Sequence, residues 1–225
     1  MTRLKAMASS SSKKVYLLSA SPVAKGYPEV VEGPPGSFVL GAGESLDMTV
    51  IVLPGVSADI PITVDLTGPG ADLNLKGIYL SAGSDEVAFR ITVNHKVGCC
   101  TSRQLFNGLA SGSAKCAFFG KIIVAPDAQK TEAYQENHNI VLSDEASVNT
   151  KPQLEIYADD VKCSHGATVG KLNEDEQFYM RSRGIPEDEA KVLQMISFVA
   201  PVLAGMEDER LALTVEDAIR SLVGN

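Results

Sequence analysis

The chain has 225 residues, 44% of them hydrophobic and 21% charged, enough for one sizeable domain with a buried core and a small appendage. Its formal charge of −8 and isoelectric point near 4.9 exclude a surface built for nucleic-acid phosphates or anionic membranes, which needs concentrated Lys and Arg, so neither partner is expected. No apolar run approaches the roughly 20 residues of a membrane span, and no apolar segment follows Arg3 and Lys5 to make a secretory signal, so the expected location is the cytoplasm.

In chain order, residues 1–14 are rich in Ser and end on Lys13-Lys14, and residues 22–36 place Pro22, Pro28, Pro34 and Pro35 among Gly26, Gly33 and Gly36. Residues 1–36 therefore read as a flexible leader and loop. From Ser37 to about Leu172, short runs rich in β-branched residues alternate with turn residues. They are Ser37–Leu40, Leu46–Leu53, Asp59–Leu66, Leu73–Ala82, Glu86–Val93, Lys115–Val124, Asn139–Leu142, Gln153–Ala158 and Ala167–Val169. Alternation such as Phe89-Arg90-Ile91-Thr92-Val93 marks half-buried strands. The body is all-β, with sandwich, barrel and β-helix open on the pattern alone. Asn107-Gly108 is the one good signal for a tight hairpin. That scarcity leans towards stacked parallel coils, although no strict short repeat is visible.

The pattern changes after Leu172. Asn173 followed by Glu174-Asp175-Glu176 is an N-cap with an acidic first turn, and Arg181 and Arg183 lead to Gly184 as the helix end. Pro186 suits the first position of a second helix, where Val192, Leu193, Ile196, Val199, Ala200 and Leu203 recur at helical spacing. A third helix is expected from about Glu209 to Leu222. The organisation is thus a leader over 1–36, a β body over 37–172 and a helical segment over 173–225.

The four cysteines, Cys99, Cys100, Cys116 and Cys163, read as free thiols in a reducing compartment. Cys163 and His165 stand two apart, so in a strand they face the same side about 6.5–7 Å from each other. Both reach one metal at bond lengths of about 2.3 and 2.0 Å. Two ligands are half a site, and a buried Cys beside a surface His is the plain alternative. Cys99 and Cys100 are neighbours that face opposite sides of a strand, which favours packing, and Cys116 precedes Ala117-Phe118-Phe119 and reads as core. His95 and His138 read as surface or structural residues. There is no Gly-x-Ser-x-Gly elbow and no phosphate-binding loop. Asp159-Asp160 resembles the acidic pairs of polysaccharide-cleaving β-helices, but adjacent carboxylates in a strand point apart, which suits paired acid/base work poorly.

Four separate stretches carry a resemblance. They are Ala128-Gln129-Lys130-Thr131-Glu132-Ala133-Tyr134-Gln135 with Asn137 to Ser143 behind it; Thr150 to Val161; Lys162-Cys163-Ser164-His165-Gly166-Ala167-Thr168; and Phe178-Tyr179-Met180-Arg181-Ser182-Arg183-Gly184-Ile185. In order and spacing they resemble the C-terminal half of the SufB/SufD family of iron–sulfur cluster assembly scaffolds, over about Leu75 to Leu203. The resemblance implies a mainly β fold, a right-handed parallel β-helix built as a single-stranded solenoid, followed by a small α-helical segment. It implies a scaffold without turnover of its own, working with a SufB-like paralogue and a SufC-like ABC ATPase on a nascent, transient iron–sulfur cluster. It places His165, with Cys163 beside it, at a cluster site shared with a partner's cysteine, and the helical segment, with Phe178, Tyr179, Arg181, Arg183 and Gly184, against the ATPase. Members of the family are longer, with an N-terminal helical domain and early coils that have no counterpart here. A shortened solenoid has an end to cover, and a homodimer in isolation is one way to cover it. The competing readings are a carbohydrate-active β-helix lyase or hydrolase, and an accessory to membrane transport.

Overall fold

The structure is a computed structural model and describes residues 11–20, 30–32, 34–206 and 208–223. Its elements are β1 (Ser11–Leu18), β2 (Val30–Glu32), β3 (Ser37–Leu40), β4 (Ser45–Val52), β5 (Ala58–Leu66), β6 (Asp72–Ser81), β7 (Glu86–His95), β8 (Thr101–Ala110), β9 (Lys115–Val124), β10 (Thr131–Val141), β11 (Ser147–Ile156), β12 (Val161–Gly170), α1 (Glu174–Ser182), α2 (Glu187–Leu203) and α3 (Glu209–Ser221). The strands form two parallel sheets, one in the order β12-β10-β8-β6-β4-β1-β2 and one in the order β11-β9-β7-β5-β3. From β2 onward successive strands alternate between the sheets, which makes a β-solenoid of about 5 turns. Ser45 pairs with Asp72, Asp72 with Thr101, Thr101 with Glu132 and Glu132 with Lys162, so each coil takes roughly 30 residues.

Alternation decides which side chains enter the bore. In β6, Leu73, Leu75, Gly77 and Tyr79 point inward, while Ile78 and Leu80 point outward. Four rings stack through the middle coils: Tyr79 to Phe89 at 5.6 Å, Phe89 to Phe106 at 5.2 Å and Phe106 to Phe118 at 5.1 Å between centroids. Two glycines make room for them. A Cβ at Gly77 would overlap the Phe106 ring, and a Cβ at Gly108 would overlap the Tyr79 ring. The outer face of the seven-stranded sheet is apolar as well. Leu17, Ile51, Ile78, Leu80 and Leu109 share one buried cluster with Val192, Met195 and Val199 of α2 and with Leu211, Val215 and Ile219 of α3. The helical segment therefore packs on the flank of the solenoid.

Three expectations are corrected here. Ser11–Leu18, inside the stretch read as a flexible leader, is β1: Tyr16 and Leu18 enter the bore and Leu17 packs outward. β1 pairs with β4 over eight residues and carries the short β2 on its other edge. The rest of the leader reading, over residues 1–10 and 21–29, lies outside the described residues. Asn107-Gly108 is no hairpin but the middle of β8. There the Asn107 amide donates to the Phe198 carbonyl of α2 at 2.6 Å, and Gly108 yields space to Tyr79. Strands β10 to β12 are longer than their apolar cores, because the polar residues before Asn139, Gln153 and Ala167 are also in the ladder.

α1 has no buried residue, so local features decide whether it forms. The Asn173 side chain accepts hydrogen bonds from the amides of Asp175 at 3.0 Å and Glu176 at 3.2 Å. Asn173→Ala is expected to destabilise α1 by about 1 kcal/mol, read as faster amide exchange confined to residues 174–182. Unchanged exchange there would show that the cap does not hold the helix.

Candidate functional site

β12 is the last strand of the seven-stranded sheet and β11 the last of the five-stranded sheet, so the solenoid ends in an open coil. Val161, Cys163, His165, Ala167 and Val169 stand in register over Thr131, Ala133, Gln135, Asn137 and Asn139 of β10. All five β10 residues are buried. Their β12 counterparts face the same way but are partly or fully exposed, since no described coil follows. Cys163 is half-buried and packs on the core, and His165 is exposed. The two residues thus share one side of one strand, with their side chains on the bore line at the uncovered end.

The bore changes character towards that end. One inward column runs Met48, Leu75, Gln104, Gln135, His165, and another runs Val50, Gly77, Phe106, Asn137, Ala167. Apolar residues fill the early coils and amides the late ones. Buried amides need partners, and these have most of them. The Tyr79 hydroxyl donates to Asn139 Oδ1, Asn139 Nδ2 donates to Asn137 Oδ1 at 2.8 Å, and Asn137 Nδ2 donates to the Phe106 carbonyl at 3.2 Å. Gln135 Nε2 donates to Gln104 Oε1 at 2.9 Å. None of these amides stands out in the sequence. They become visible only once residues roughly 30 apart are laid in columns.

Burial pushes the Cys163 thiol up, partly offset by a backbone hydrogen bond from Ala133. A thiol must lose its proton to bind iron, whereas a neutral imidazole need not. Of the pair, His165 is the readier ligand. Among the described residues no group of three or more His, Cys, Asp or Glu is gathered to hold a metal within this chain.

The remaining candidates fall elsewhere. Cys116 is core, as expected, and Cys100 is buried. Cys99 is not a strand residue; it sits in the corner before β8 with φ 57° and is exposed. All four thiols are free. His95 is buried against Ser102, and His138 bonds Thr168 Oγ1 at 3.0 Å on the outside. Asp159 and Asp160 lie in the exposed turn between β11 and β12, where the Asp160 backbone bonds Lys130 and Gln129. No groove of paired acids forms around them among the described residues, and nothing favours glycan chemistry.

The helical candidates gather on α1. Phe178 is 71% and Tyr179 60% exposed, Arg183 lies over the Tyr179 ring at 5.3 Å, and Arg181 faces Glu187 at 3.8 Å. Gly184, at φ 88°, takes the left-handed position just past the helix. Tyr179, Met180, Leu172, Leu193, Phe198 and Ile140 line an open groove of about 720 Å³ between α1, α2 and the end of β10. Phe178 lies outside it. Among the described residues no helix is long and apolar enough to cross a membrane.

Comparison with known proteins agrees with this architecture. The sequence model of the family described as SUF system FeS cluster assembly, SufBD core domain, matches residues 37–198. The chain is 39% identical over 149 residues to the iron–sulfur cluster assembly protein SufD of Escherichia coli K12, covering 66% of this chain and 35% of that protein. It is 32% identical over 141 residues to SufD of Bacillus subtilis 168, covering 63% and 32% respectively. It is 36% identical over 135 residues to the chloroplastic protein ABCI7 of Arabidopsis thaliana, covering 60% and 28%. The chain therefore spans about a third of the length of these curated relatives. With a core-domain match over most of its length, a parallel solenoid and a SufD-like sequence, this chain belongs to the SufBD core family of the iron–sulfur cluster assembly system.

Proposed function

We propose that the chain is an assembly scaffold for iron–sulfur clusters, a component without turnover of its own that works in the cytoplasm. The observation that carries this reading is the open last coil: Cys163 and His165 stand on inward positions with no coil above them. In the proposed complex, the end of a SufB-like paralogue covers that coil. The nascent cluster forms between the two subunits as cargo, with His165 as this chain's ligand, Cys163 beside it and a cysteine supplied by the partner. Imidazole and thiolate both suit iron. The face of α1, with Phe178, Tyr179, Arg181, Arg183 and Gly184, receives a SufC-like ABC ATPase, which supplies the nucleotide hydrolysis. Without the paralogue, a second copy of the chain covers the same end.

The test is co-expression with the paralogue and the ATPase. His165→Ala is expected to leave the complex and its circular dichroism unchanged while iron and acid-labile sulfide in the purified complex fall at least about tenfold. Normal cluster content in that variant would sink the role of His165. A tagged wild-type chain that recovers neither partner from its own lysate would sink the scaffold reading.

A further inference from the structure

Directly beneath His165 in its column stand two stacked amides, Gln135 and then Gln104. Gln135 is fully buried, and a Cβ at Gly120 on the facing sheet would overlap its amide, so only glycine lets that amide lie across the bore. Gln135 Nε2 donates to Gln104 Oε1 at 2.9 Å. In that arrangement Gln135 Oε1 and Gln104 Nε2 are both left buried without a partner. A buried acceptor left empty is unfavourable, because it has given up its water for nothing. The nearest side chain up the column is an imidazole one strand spacing away, about 4.8 Å. That ring is exposed, and no hydrogen bond holds it among the described residues, so it is free to turn its N–H down onto the oxygen.

We infer that Gln135 is the positioning residue for His165: its side-chain oxygen accepts the hydrogen of one imidazole nitrogen and so fixes the other, bare nitrogen towards the open end. Gln104 acts one step further back, by holding the Gln135 amide the right way round. A histidine that ligates a metal works best when its second nitrogen is tied in this way, because the tie sets both tautomer and ring direction. The inference rests on the cluster-assembly reading of His165, and it explains why a solenoid bore that is apolar in its early coils becomes an amide ladder under its last.

The chain has three histidines, so the side-chain nitrogens of His165 are resolvable by long-range 1H–15N spectra of the isolated full chain at mildly alkaline pH. The expected wild-type result is a single tautomer, with one nitrogen protonated and one bare. Gln135→Met keeps the shape and removes the acceptor. It is expected to give averaged tautomers with unchanged circular dichroism, and about tenfold weaker iron loading of the co-expressed complex. Gln104→Met, which releases the Gln135 amide to turn over, is expected to average the tautomers as well. An averaged His165 ring in the wild type overturns the inference even if the variants fail to fold, and so does a tautomer that neither variant shifts. Full cluster content in His165→Ala would instead overturn the role of His165 as a cluster ligand, and the tautomer result would still stand.

Discussion

Replacing Phe106 with alanine is expected to destabilise the solenoid by about 3–5 kcal/mol, much of the margin of an ordinary domain. Phe106 is fully buried and sits between Phe89 and Phe118, edge-on to the first at 62° and tilted 49° to the second. Its loss removes ring contacts to two adjoining strands of the facing sheet and leaves a cavity that a parallel stack cannot close by local collapse. Gly77→Ala attacks the same place from the next coil, since its Cβ would overlap the ring, and is expected to cost about 1–3 kcal/mol. The double variant is expected to cost less than the sum, because the new methyl enters the space the ring vacates. Urea midpoints at constant slope measure all three. A Phe106→Ala variant within 1 kcal/mol of wild type would show that the stack is not where the fold is held.

The second large effect is acid sensitivity from His95. The ring is 1% exposed, its Nε2 bonds Ser102 Oγ at 2.8 Å, and its Nδ1 has no partner among the described residues. Burial alone pushes its pKa down to about 4, from an ordinary 6.5. Between those values the unfolded chain takes up a proton that the folded chain refuses. This contribution is therefore complete above about pH 6.5, falls as the pH drops through the window, and levels off below about pH 4, a span on the order of 3 kcal/mol. His95→Gln is expected to flatten that part of the stability profile measured by urea unfolding. Equal slopes in the two proteins would show that His95 is accessible to protons in the folded state.

How much of this is legible in the sequence depends on what each stretch buries. Lys115–Val124 is a short run, apolar almost throughout and alternating fully buried with less buried positions, and can be read directly as a strand. β8 escapes, because Gln104, Asn107 and Gly108 interrupt its apolar residues and an Asn-Gly pair is usually a turn. Each is there for a partner in another element: Gln104 for Gln135, Asn107 for α2 and Gly108 for Tyr79. Thr131 to Asn137 of β10 is hidden for a related reason, since amides take the inward positions that apolar residues hold elsewhere. β1 is hidden because Ser and Lys occupy its first half, and only Val15 to Leu18 carry the apolar signal. For the candidate site, the spacing of Cys163 and His165 reads correctly as one face of a strand. That this face lies over the end of a bore requires the coil register, which no short window of sequence contains.

The nearest-neighbour plan of the two sheets also sets the order in which the chain assembles. From β4 onward, each strand hydrogen-bonds within its sheet only to the strands one coil back and one coil ahead, so every coil closes a loop of roughly 30 residues. Each closure costs about 3 kcal/mol of chain entropy before any contact forms. The rings of Tyr79, Phe89, Phe106 and Phe118, on β6 to β9, offer the largest immediate return, so the middle coils form the nucleus and growth proceeds outward in both directions. β12, like β2, β3 and β11 at the other sheet ends, is held along one edge only. The strand that carries Cys163 and His165 is therefore an end strand, whose opening does not break into the central ring stack.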